Sequence, residues 1–192
     1  MAEYLSAGIA YLLGAFPAAY IFSRLIKKVD IRTVGSGNVG GMNTMKQAGA
    51  AAGLLTIAVD TGKGALAVYL ASLLGGGLYS MLTAAWLAVL AHNFNPFLGF
   101  RGGKGLATTF GAFLVLCRPC LFFMLLLALA LALALHDTGT GVGLAAALLP
   151  ALFWVLFRDW TAVLLGALLG LVIAVKHIKD FRAYARGRRQ LF

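Results

Sequence analysis

"LATTFGAFLVLCRPCLFFMLLLALALALAL", residues 106–135, is the stretch on which the architecture turns. It is about 30 residues of almost unbroken apolar side chains, interrupted only by Arg118-Pro119. As one helix it would measure about 45 Å at 1.5 Å per residue, too long for one upright crossing of a ~30 Å hydrocarbon core. As two helices, each half is short. The rest of the chain is of the same character. Its 192 residues are 61% hydrophobic and 11% charged, a composition that belongs to an integral membrane protein and not to a soluble domain. Further apolar runs at residues 4–24, 52–74, 78–92, 142–157 and 160–176 join 105–117 and 120–135 as candidate spans.

Charge decides how residues 106–135 divide. Arg24, Lys27, Lys28, Arg32 and Lys46 follow the first run, Arg101 and Lys104 lie between residues 92 and 104, and six more Lys or Arg occupy the tail from Lys176 to Arg189. Only Arg118 and Arg158 fall in the other connections, and Lys63 lies inside a span. The positive-inside rule wants the three rich segments on one face. That requires an even number of crossings after residue 104, hence a break at Arg118-Pro119. The expected fold is an all-α integral membrane protein, one domain over residues 1–192. It has seven short transmembrane helices, the N-terminus outside, the C-terminus cytoplasmic, and Gly-rich cytoplasmic loops. Glu3 precedes the first run and the basic residues follow it, the reverse of a cleavable signal. The net charge of +10 therefore speaks for membrane orientation and anionic ligands and gives no reason to invoke nucleic acid.

Three segments on the expected cytoplasmic face share one chemistry: "GSGNVGGMN" (Gly35–Asn43), "GFRGGKG" (Gly99–Gly105) and "KHIKD" (Lys176–Asp180). Glycines let successive backbone N–H groups turn toward one point and make an anion-binding nest. A helix starting just after such a loop adds its positive end. Lys104, set among glycines, suits a point charge on phosphate. Neither loop has the GxxxxGK[ST] spacing or the βαβ setting of a nucleotide site. Asp60 and Lys63 lie one turn apart in an apolar helix, where ionisable residues are costly, and are expected to pair in support of the loops. His92 is expected to be a structural hydrogen-bonding partner. "CRPC" (Cys117–Cys120) has redox or metal spacing but no further ligands, and is taken as a turn open to a disulfide.

"GSGNVGGMN", "VDTGKG" (Val59–Gly64) and "HNFNPFLGFRGGKGLAT" (His92–Thr108), in this order, resemble the bacterial acyl-phosphate-dependent glycerol-3-phosphate acyltransferases. "GAFPAAY" around Pro17 is similar to that family's first span. The match is strongest over residues 10–110 and collinear beyond. The resemblance implies transfer of an acyl chain from acyl phosphate to the 1-hydroxyl of glycerol 3-phosphate, near the cytoplasmic face of the bacterial inner membrane. It implies no cofactor and no metal; the partners are the two substrates and membrane lipid. An acyl phosphate is already activated, so positioning and neutralisation of charge supply the catalysis. By resemblance the catalytic positions are Ser36, Lys104 and His177. The substrate-binding positions are Gly37, Asn38, Gly40, Asn43, Lys46, Gly102, Gly103 and Asp180, and Asp60, Lys63 and His92 give structural support. Within that set, Ser36, Gly37, Asn38, Gly40 and Asn43 would cradle the acyl phosphate with Gly102, Gly103 and Lys104, while Lys46 and His177 would face the acceptor.

The chain departs from the family pattern on the acceptor side. Lys46 stands where the family usually has Arg, losing the bidentate fork that suits phosphate. Met42 stands where Thr is common, and Asp180 where Asn is usual. Asp180 is three residues from His177 and could pair with it on a helix, or with Lys176 or Lys179 at the water boundary. These departures motivate a second reading, a relative that uses another polyol phosphate or only binds acyl phosphate. A third, a transporter of anions or phosphorylated solutes, is opposed by an odd span count without duplicated halves.

Overall fold

Small side chains set how closely the helices of the first half approach. The computed structural model describes residues 1–189 and 191 and comprises two compact units, Met1–Leu116 and the remainder from Cys117. The first unit holds α1 (Ala2–Ala15), α2 (Ala18–Lys27), α3 (Gly41–Ala48), α4 (Ala50–Leu73), α5 (Leu78–Asn93), a 3-10 turn (Pro96–Leu98) and α6 (Leu106–Leu116). Buried Ala10, Ala67, Ala71, Ala84 and Ala88 form a seam among α1, α4 and α5; Val68, Ala85 and Ala112 join α4 and α5 to α6. Between α4 and α6 the backbones touch: a Cβ on Gly64 would strike the Thr108 carbonyl, and one on Gly111 the Thr61 carbonyl. In lipid no hydrophobic force drives apolar helices together, so packing through small residues takes its place. Many large apolar side chains, Leu54, Leu66, Leu73 and Leu114 among them, face outward.

The second unit holds α7 (Arg118–Leu135), α8 (Thr138–Ala147), α9 (Leu149–Phe157), α10 (Trp160–Lys176) and α11 (Ile178–Ala185). The break expected at Arg118-Pro119 is present. Helix α6 ends at Leu116, and Cys117 caps α7, with Pro119 in the first turn where its missing N–H costs nothing. Cys117 and Cys120 are joined in a disulfide. Leu125, Leu126, Leu129 and Leu133 of α7 are exposed, as a lipid-facing helix requires.

Every element among the described residues is helical. Three segments are long and apolar enough to cross a membrane: α1 with α2, α4, and α7. The number rises to five if the bent pairs α8–α9 (44°) and α10–α11 (57°) each count once.

Two local expectations need correction. The run 4–24 is not one helix, because Pro17 has no N–H to continue α1 and the chain restarts at Ala18. Residues 136–141, left between the candidate runs 120–135 and 142–157, are helical from Thr138, because Asp137 caps α8 through an Oδ1 that accepts from the Thr140 N–H at 2.7 Å. The polar helix α3, which carries Lys46, has no apolar run to announce it.

Candidate functional site

The first Gly-rich loop is built around Asn43. Its Nδ2 donates to the carbonyls of Asn38 (3.0 Å), Ile31 and Val34 (3.2 Å each), and its Oδ1 accepts from the Ser36 N–H at 3.2 Å. Asn43 is buried, on the first turn of α3, so its side chain organises the loop from within. Gly35 and Gly37 have φ of 59° and 68°, the left-handed region that glycine enters without a Cβ penalty. Ser36 is exposed at the rim, Asn38 and Gly40 are half-buried, and Met42 and Lys46 are exposed. Beneath the loop lies an apolar cluster of Ala19, Ile31, Val39 and Leu98.

The entry to this loop is fixed by charge. Asp30 accepts from Arg32 Nε at 2.9 Å and from an Arg32 terminal nitrogen at 2.7 Å, and Arg24 reaches it at 3.2 Å. Both guanidinium groups lie over the Tyr20 ring, 5.0 and 5.5 Å from its centre. The Arg32 hydrogen bonds hold the Asp30 carboxyl well below the usual carboxylate range and raise Arg32 in turn.

The second Gly-rich loop meets the first at one residue. Gly103 donates its N–H to the His92 carbonyl at 3.2 Å. A Cβ on Gly103 would collide with His92 Nε2 and lie 2.6 Å from the Val39 carbonyl, so only glycine fits between the first loop and α5. Gly102 is packed just as closely on the carbonyls of His92 and Asn93. Lys104 is half-buried, and α6 begins two residues later.

Below this junction lies a buried charged cluster. Lys63 Nζ is 2.7 Å from Asp60 Oδ1, and His92 Nδ1 is 3.5 Å from the same oxygen. Lys63 also donates to the Phe16 carbonyl at 3.0 Å. An apolar groove of about 740 Å³ runs between α1 and α4, lined by Leu12, Leu13, Phe16, Val59, Lys63 and Leu66 among others.

In the second unit, His177 is buried at the joint between α10 and α11, with Nδ1 2.9 Å from the Ile173 carbonyl. A neutral ring that donates from Nδ1 carries its lone pair on Nε2. Asp180, one turn on, lies against the first turn of α8: a Cβ on Gly139 would be 2.6 Å from its Cγ.

The structure thus brings together Val39, Gly102, Gly103, Asp60, Lys63 and His92 in the first unit. It turns Asn43 inward, and it holds His177 and Asp180 in the second unit. Sequence reasoning missed Asn95, whose Nδ2 donates to the Ala15 carbonyl at 2.6 Å and whose Oδ1 accepts from the Phe97 N–H at 3.0 Å. An Asn preceding Pro96 is a recognisable cap for a short turn, and that signal was available.

The model of the glycerol-3-phosphate acyltransferase family matches residues 4–187. A protein of Moorella thermoacetica named glycerol-3-phosphate acyltransferase 2 is 40% identical over 156 residues, which cover 81% of this chain and 80% of that one. Glycerol-3-phosphate acyltransferase 1 of Dehalococcoides mccartyi is 37% identical over 185 residues, covering 93% and 88% respectively. Two crystal structures are also similar. They are the glycerol 3-phosphate and lysophosphatidic acid forms of PlsY (YgiH), an integral membrane glycerol 3-phosphate acyltransferase. Their TM-scores are 0.87 and 0.85 at 26% and 25% identity, with 100% of this chain and 96% of that chain covered in each.

Proposed function

Because the chain belongs to the glycerol-3-phosphate acyltransferase family, we propose that its acyl donor is an acyl phosphate, held where the two Gly-rich loops meet. The protein is an all-helical integral membrane enzyme that acylates glycerol 3-phosphate to lysophosphatidic acid, a step of phospholipid synthesis. The acceptor's 1-hydroxyl attacks the acyl carbon, the bond to the phosphate oxygen breaks, and inorganic phosphate leaves. The hydroxyl proton passes to His177 or to the departing phosphate. With so good a leaving group, the work left to the protein is orientation and stabilisation of charge on phosphate.

The observation that carries this reading is the junction at Gly103. Two loops rich in N–H donors are pressed together there, with Lys104 the next residue and no acidic residue in either loop. Ser36, Gly37, Asn38, Gly40, Gly102, Gly103 and Lys104 are assigned to the donor phosphate, with Asn43 holding the first loop in shape. Roles for Lys46, His177 and Asp180 toward the acceptor rest on the sequence resemblance. The groove between α1 and α4 is apolar enough for an acyl chain. Seven crossings are assigned to α1–α2, α4, α5, α6, α7, α8–α9 and α10, with the N-terminus outside and the Gly-rich loops on the cytoplasmic face of the inner membrane. Basic residues gathered in the three corresponding connections support that orientation.

The test is a two-donor assay on purified protein. With acyl phosphate and glycerol 3-phosphate, inorganic phosphate and lysophosphatidic acid should appear in equal amounts, and an acyl thioester should give neither. Product from the thioester alone would refute the donor assignment. Product from another polyol phosphate but not from glycerol 3-phosphate would refute the acceptor.

A further inference from the structure

At the break between α1 and α2 the Ala15 and Phe16 carbonyls both accept side-chain hydrogen bonds from other elements, the Phe16 carbonyl in addition to one from the Ala18 N–H at 3.1 Å. Lys63 of α4 donates to the Phe16 carbonyl at 3.0 Å, and Asn95, just past α5, donates to the Ala15 carbonyl at 2.6 Å. Each side chain also leads to the second Gly-rich loop. Lys63 pairs with Asp60, whose carboxylate neighbours His92, and His92 holds Gly103 through its carbonyl and packs on it with its ring. Asn95 caps the 3-10 turn that feeds the loop, and its own carbonyl accepts from the Phe100 N–H at 2.8 Å. Phe16, Pro17, Val39, Asp60, His92 and Asn95 surround one small cavity, so the two routes converge beneath the loop junction.

We propose that the Phe16–Pro17 break is the anchor of the phosphate site, and that Asp60, Lys63, His92 and Asn95 are positioning residues that set the Gly102–Lys104 loop against Val39. The nature of the anion rests on the acyl-phosphate reading; the anchoring does not. Stability alone is a poor reason for such a cluster. Ionisable groups inside a span are costly, and exchanging a buried ion pair for neutral side chains of similar volume is often neutral or stabilising. Here the pair ends on the backbone of the helix break at one side and beside His92, which carries the loop, at the other. Its removal in balanced form should therefore spare the fold and loosen the site.

The experiment compares the full-length wild type with D60N/K63M, which removes both charges together, and with N95A, which cuts the second route without touching a charge. Thermal unfolding is followed with and without inorganic phosphate, and KM for acyl phosphate is measured alongside. Both variants should fold, bind phosphate about tenfold or more weakly, and show KM raised in proportion, given that misplacement by ~1 Å can cost a hundredfold. Lys63→Arg, which keeps the charge and the donor, should retain phosphate binding within about threefold. Folded variants that bind phosphate as the wild type does would overturn the proposal. So would a failure of both variants to fold, which would make the role purely structural, or a wild type that phosphate does not stabilise. A wild type that binds phosphate but does not turn over acyl phosphate would refute the donor reading and leave the anchoring comparison intact.

Discussion

Asn43 shows how one side chain is spent on the loop that carries it. All its polar atoms serve the backbone of residues 31–38, whereas the sequence had pointed it at the ligand. An Asn in a Gly-rich loop serves ligand and backbone equally well on paper, and only burial separates the two uses. Replacing it with Ala removes the partner of the Ser36 N–H and of three carbonyls, the Ile31 one fully buried. Asn43→Ala should cost about 1–3 kcal/mol in unfolding and depress transfer, whereas Ser36→Ala should depress transfer with little change in Tm. Equal Tm values for N43A and wild type would contradict the role given to Asn43. Asp30 acts at the same scale through pH. Its folded pKa is depressed, so its contribution to stability is complete above the unfolded value of about 3.9 and is lost as pH falls through the lower folded value. Asp30→Asn should therefore lower Tm at neutral pH, and the gap to wild type should narrow below about pH 4.

Helices were legible where apolar runs are long, and less so where polarity or proline intervenes. Helix α4, α7 and α10 lie within a few residues of the runs 52–74, 120–135 and 160–176. Pro17 carried its own warning of a break, since its ring excludes the hydrogen bond that would continue α1. Helix α3 gave no warning, because its amphipathic turns are mostly polar and its start is held by the loop before it. The closest packing, between α4 and α6, depends on Gly64 and Gly111, and glycines in a span do not say which partner they face. Gly111→Ala forces a Cβ into the Thr61 carbonyl and should destabilise by about 1–3 kcal/mol, measured as a fall in Tm of the detergent-solubilised protein. An unchanged Tm would mean that the two helices separate without cost.

For the whole molecule, composition showed a membrane protein, and the ordered Gly-rich motifs carried the resemblance to an acyltransferase. The meeting of the two loops at Gly103 was not legible, because residues 39 and 103 are far apart in sequence and are brought together by tertiary packing. The topology is open to a direct check in a Cys117→Ser/Cys120→Ser background. A single cysteine near residue 2 should react with an impermeant maleimide on intact cells, and one near residue 100 should not; the reverse pattern would invert the assigned orientation. The paired loops are assigned to the donor phosphate through Lys104, so loss of its charge must show in turnover. The most direct measurement is release of lysophosphatidic acid from acyl phosphate and glycerol 3-phosphate by wild type and Lys104→Ala at matched folding. Turnover should fall about a hundredfold or more, the scale of losing one preorganised charge-stabilising group. Undiminished turnover by the variant would contradict the assignment.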